Sequence, residues 1–178
     1  MLRFLLPLAT LLLFSACGPR LSPLTKRLVD EQRWGEEELR RIQFYLSEDL
    51  VLTRALRNGR TAIDRGRVTL IDGREVEQVV FKAKTPGVFT FSPKDDRVAV
   101  SFEGGGSERY LVFGPNPKNG NRYSILARDW TRASGTVTYD GQEWEIASRD
   151  AFANLLIPIK SIENADRRGR VASGRKLR

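Results

Sequence analysis

Two pairs of carboxylates, Glu75/Glu77 and Glu143/Glu145, sit at i, i+2 spacing, which in an extended segment points both members to one face. Two carboxyl groups flanking a glycosidic bond are the machinery of glycoside hydrolysis. The solvated face of a strand produces the same spacing, and that plainer reading is the stronger because nothing else in the chain completes such a site. Asp95-Asp96, in SPKDDR, offers oxygen donors for calcium but lacks a loop of alternating donors, and reads as a turn. EGGGSER (103–109) has the glycines of a phosphate-binding loop without its GK[ST] ending, and reads as a hairpin loop. Ser173 and Lys176 match SxxK spacing without the companion motifs of that chemistry.

The chain has no histidine and one cysteine. Histidine acid–base catalysis, CxxC redox pairs, and zinc sites of four thiolates or of two thiolates and two imidazoles are therefore excluded. No catalytic residue, metal ligand or cofactor site emerges, and the expected class is a non-enzymatic binding or assembly module. The alternatives are a carrier holding a small apolar ligand in a β-barrel cavity and, behind it, a cell-wall hydrolase using a carboxylate pair. Most aromatics fall in alternating patterns that suit a core. Trp130 differs, because RDWTRASG places it between Arg128 and Arg132 just before a turn, which makes it a candidate ligand contact.

Charge is the remaining chemical feature. The 178 residues carry 30 Lys+Arg against 22 Asp+Glu, a net +8. Arg167, Arg168, Arg170, Arg175, Lys176 and Arg178 crowd the C-terminal end with little apolar surface between them. Such a segment suits anionic lipid, lipopolysaccharide phosphates or acidic wall polymers. A solvated tail has the same composition.

The N-terminal stretch explains the lone thiol. Arg3 is followed by a mostly apolar run from Phe4 to Ala16, too short to span a bilayer as a helix but suited to the h-region of a secretory signal. Leu13-Phe14-Ser15-Ala16-Cys17 resembles the lipobox of bacterial lipoproteins. The resemblance implies cleavage between Ala16 and Cys17 and lipid attachment to the Cys17 sulfur. With Gly18 and no aspartate next to the cysteine, it further implies sorting to the outer membrane, facing the periplasm. Several acyl chains anchor stably where one alone does not. The partners expected are thus the bilayer, through Cys17, and anionic envelope polymers or another envelope protein. Export makes nucleic acid an unlikely partner.

Five segments follow from this reading: a signal peptide over 1–16, a lipidated tether over 17–22, a helix over 23–40, an antiparallel β domain over 41–166 and a basic tail over 167–178. Ser22-Pro23 reads as an N-cap followed by proline at the first helical position. Gly35 weakens that helix or splits it. From Ile42 onward, apolar–polar alternation and turn residues recur at short spacing, as in an antiparallel sandwich or small barrel. The fold class is mainly β, preceded by a short N-terminal helix, and a body of about 150 residues can bury a core without disulfides. Asp140-Gly141 predicts a two-residue hairpin with Val137 opposite Trp144 and Tyr139 opposite Gln142. The same turn at Asp72-Gly73 sets Val68 opposite Glu77 and Leu70 opposite Glu75, which asks for a bulge or for strand ends in solvent.

Overall fold

The apolar–polar alternation of the sequence becomes a set of short strands, each burying one face. The computed structural model describes residues 18–55, 67–71, 74–105 and 108–166. In chain order the elements are β1 (Leu21–Pro23), α1 (Lys26–Gln32), α2 (Glu36–Leu39), β2 (Gln43–Leu46), β3 (Leu50–Ala55), β4 (Arg67–Ile71) and β5 (Arg74–Phe81). They continue with β6 (Pro86–Phe91), β7 (Val98–Ser101), β8 (Leu111–Asn116), β9 (Arg122–Ile125), β10 (Ser134–Tyr139), β11 (Gln142–Ala147), β12 (Leu155–Pro158) and α3 (Ile159–Asp166).

The strands form two antiparallel sheets that pack together. One has seven strands in the order β1-β12-β2-β6-β7-β8-β9, and the other has five in the order β10-β11-β3-β5-β4. Isolated bridges from Thr25 to Arg122 and from Ser124 to Asn154 tie β9 to the chain flanking β1 and β12. They do not close a barrel, so of the two architectures expected the barrel is not the one formed. Phe44, Leu46, Leu50, Leu52, Phe113, Ile146 and Leu155 are buried in a single core. Aromatic rings link the sheets through it. Tyr139 meets Phe81 edge-on at 5.5 Å between centroids, Phe81 lies 5.8 Å from Phe102, and Phe102 meets Phe113 at 6.0 Å.

Both hairpin registers match the turn arithmetic. Asp140 and Gly141 have φ of 51° and 67°, the two positive values a type I′ turn requires. Val137 then pairs with Trp144, Tyr139 with Gln142 and Thr138 with Glu143. Val137, Tyr139 and Trp144 are buried while Thr138 and Glu143 are exposed. In the other hairpin Val68 pairs with Glu77 and Leu70 with Glu75, with no register shift; Asp72-Gly73 itself lies outside the described residues. Neither a bulge nor solvent resolves the position of Glu77. It is buried, in an ion pair with Arg54, its register partner on β3.

The helix expected over 23–40 does not form as one element. Ser22 and Pro23 belong to β1, paired with Ile157 and Leu156 of β12, so the β domain begins well before residue 41. The true N-cap of α1 is Thr25, whose side chain accepts a hydrogen bond from the Leu28 N–H at 3.2 Å. A strand partner for the backbone, with the Leu24 N–H donating to the Leu155 carbonyl at 2.9 Å, outweighs the local preference of Ser-Pro for a helix start. The chain turns at Arg33 (φ 50°), and Gly35 caps a separate α2. At the other end, β12 stops at Pro158 and α3 follows at once.

Candidate functional site

The break between α1 and α2 opens a recess beside the β6–β7 connection. Arg33 adopts the left-handed conformation and its N–H donates to the Asp30 carbonyl at 3.2 Å; the Trp34 N–H donates to the Val29 carbonyl at 3.1 Å. This turns Trp34 inward, where it joins the core. Gly35 then starts α2, its N–H donating to Glu38 Oε2 at 3.0 Å. The resulting corner faces the connection between β6 and β7, in which Asp96 has φ of 58°. Two contacts hold the pieces in place. Lys26 Nζ donates to Asp96 Oδ1 at 2.8 Å, and the Ser92 N–H donates to Glu36 Oε1 at 3.0 Å.

Between them lies an open cleft of about 660 Å³, within the range of small-molecule sites. Val29, Trp34, Leu39, Val98 and Tyr123, two of them aromatic, give it an apolar side, and polar residues supply about as much of the lining. Burial, reinforced by nearby Asp96, pushes the Tyr123 phenol up to about 12, so it stays a hydrogen-bond donor at any physiological pH. Among the described residues its hydroxyl has no hydrogen-bond partner.

The rim is charged, but its two signs are not equally engaged. Asp30 and Asp96 share Lys26 at 3.3 and 2.8 Å. Sharing with Asp96 foremost raises the Lys26 pKa, keeping the ammonium charged. Glu36 accepts from Arg40 at 3.3 Å as well as from Ser92. Only Asp95 among the lining acids has no partner in the described residues. The cations Arg33, Lys94 and Arg97 line the same cleft, and none of them has an ion-pair partner among the described residues. The free charge at the rim is therefore predominantly positive.

A second polar cluster sits at the β10–β11 turn and is internally satisfied. Arg109, buried, reaches Asp140 with Nη2 at 2.9 Å. The Tyr139 hydroxyl donates to Glu103 Oε2 at 2.6 Å, and burial followed by that bond raises the phenol's pKa well above its ordinary value. These contacts fasten the EGGGSER segment onto the hairpin, which is a structural role.

Of the residues singled out from sequence, only Asp95 and Asp96 line the cleft among those described. Trp130 is 41% exposed, away from the cleft lining, and its ring lies so close over Gly135 that a Cβ there would sit 2.7 Å from it. Glu143 pairs with Arg128 at 2.7 Å and Glu77 with Arg54. Asp95-Asp96 does form a turn, and Asp96 serves the cleft through Lys26. Cys17, Arg167, Arg168, Arg170, Arg175, Lys176 and Arg178 lie outside the described residues. No group of three or more metal-ligating side chains occurs among the described residues. Sequence reasoning missed Arg33, Trp34, Lys94, Arg97 and Tyr123; the helix break at Gly35 and the SPKDDR turn are the only local hints of the recess they share. Comparison with protein-family models, with curated proteins and with solved structures found no match, so the functional reading rests on these residues and their geometry.

Proposed function

We propose that this chain is a lipoprotein of the bacterial cell envelope, fixed to a membrane, in our reading the outer one, through acylated Cys17 and acting as a non-enzymatic binding module on the periplasmic side. The observation that carries the reading is the apolar run closing on Phe14-Ser15-Ala16-Cys17. Its support from the fold is positional. Gly18, Pro19 and Arg20 are exposed, and the Ile159 N–H donates to the Arg20 carbonyl at 2.9 Å. The segment leading back to Cys17 and the helix leading on to the basic end therefore start side by side. No helix of the described residues is long and apolar enough to cross a membrane; attachment in this reading is through the acyl group on Cys17.

Binding, rather than catalysis, is favoured by the way the acids are used. Glu77 is committed to Arg54, Glu143 to Arg128, and the cleft carboxylates other than Asp95 to Lys26, Arg40 and Ser92. A hydrolase needs two carboxyl groups free to face one bond. A carrier with an internal cavity gains no support either, because large side chains such as Phe44, Leu52 and Phe113 fill the space between the sheets. Intact-mass analysis of membrane-extracted protein tests the proposal: the mature chain is expected to begin at an acylated Cys17, and Cys17→Ser to release it from membranes. A soluble, unacylated wild type would end the lipoprotein reading.

A further inference from the structure

We propose that the cleft between the α1–α2 corner and the β6–β7 connection binds a single-chain anionic amphiphile, its phosphate or carboxylate head held by Arg33, Lys94 and Arg97 and its apolar part lying over Trp34, Leu39 and Val98. The inference deepens the binding-module reading and rests on it, but not on lipidation. Three observations point the same way. Part of the lining is apolar, and the volume, about 660 Å³, falls in the range of small-molecule sites. The acids on the rim are mostly neutralised within the protein while Arg33, Lys94 and Arg97 are not. Tyr123, 1% exposed, brings to the cleft a hydroxyl that nothing among the described residues receives.

Each feature has a recognisable job. Guanidinium groups bind phosphate and carboxylate in a bidentate fork, and two of the three cations are arginines. A cationic amphiphile would instead meet three like charges. A neutral one would leave those cations unengaged and gain only the apolar side. The Tyr123 phenol, protonated across the physiological range, adds a neutral donor for a head-group oxygen.

The test uses residues 18–178, which contain every described element and the whole core, in isothermal titration against decyl phosphate, decanoate, decyl maltoside and decyltrimethylammonium below their micellar concentrations. Decyl phosphate and decanoate are expected to bind at one site, the maltoside at least tenfold more weakly, and the ammonium not at all. Arg33→Gln/Arg97→Gln should weaken decyl phosphate at least tenfold and Tyr123→Phe several-fold, whereas Arg128→Gln, remote from the cleft, should change nothing. Both charge-neutralising positions are exposed, so the double variant should fold, and a matching circular-dichroism melt verifies that it has. Equal binding of the ammonium, unchanged affinity in the double variant, or no binding of either anion overturns the assignment. Phosphatidylglycerol vesicles, titrated in parallel, separate the two levels. Vesicle binding without decyl phosphate binding removes the cleft ligand and leaves the binding module; loss of both removes both.

Discussion

Glu77 is 3% exposed, on a strand whose neighbouring inward positions carry the apolar Val79 and Phe81. A carboxylate so placed is tolerable only if its charge is met. Arg54, opposite it on β3, meets it and also stacks on the Trp144 ring at 4.7 Å from the centroid. Arg54→Met is expected to cost about 2–3 kcal/mol in urea denaturation, because it leaves the acid buried alone. Arg54→Met/Glu77→Leu should recover most of that loss. A single variant as stable as wild type would mean the pair is not holding the sheet. The i, i+2 spacing of Glu75 and Glu77 was readable in the sequence, but the burial of Glu77 was not, because its partner lies 23 residues away on a strand with no local mark of the pairing. Gly141 is the opposite case, since Asp-Gly announces its turn directly. With φ of 67° and the Glu108 carboxylate 2.7 Å from where a Cβ would stand, Gly141→Val should destabilise by about 1 kcal/mol or more. An unchanged melting midpoint would contradict the type I′ geometry.

At the level of elements, strands were legible and helices were not, for a physical reason. A strand with one wet face writes its alternation into consecutive residues, and Asn, Gly and Pro mark its ends. Hence the hairpin expected at Asp140-Gly141 is realised as the pairing of β10 with β11. Helix α1 has seven residues, too few to be stable alone. It persists because Leu24, Thr25 and Lys26 are pinned to β9, β12 and Asp96, contacts invisible in the local sequence. The cleft was illegible for the same reason, since its lining comes from residues 29–39, 92–98 and 123. Asp49, between β2 and β3, is a testable joint of this kind. It accepts from Lys82 Nζ and the Ala83 N–H, both at 2.8 Å, and these two bonds, the lysine's foremost, hold its carboxyl below the ordinary carboxylate value. A lowered folded-state pKa contributes stability that is present above the ordinary value and is lost as pH falls through the lowered one. Asp49→Asn should therefore melt earlier than wild type at pH 7, with the gap closing below about pH 4. A gap of the same size at pH 3 would mean that the carboxylate charge is not its source.

For the whole molecule, the proposed lipid anchor raises the question of how the domain would sit against a membrane. β1 runs beside β12, and α3 begins at Ile159 next to Arg20. Eight helical residues extend roughly 12 Å, so Asp166 lies about that far from the point where the chain leads back toward Cys17. The Debye length is about 10 Å at 0.1 M salt. In the proposed lipoprotein, the chain that continues past Asp166 therefore starts little more than one Debye length from where it leads back toward Cys17. Each cation near an anionic leaflet contributes about 1 kcal/mol, and six close in sequence, Arg167, Arg168, Arg170, Arg175, Lys176 and Arg178, would orient a domain anchored as proposed. Removing the anchor isolates their effect. Residues 18–178 should bind phosphatidylglycerol vesicles with an affinity that falls steeply between 50 and 200 mM salt, over which the Debye length roughly halves. Residues 18–166 should bind at least tenfold more weakly and with a shallower salt dependence, the remainder being what the cations on the domain supply. Cosedimentation measures both. Indistinguishable binding by the two chains would return the six cations to the role of a solvated tail.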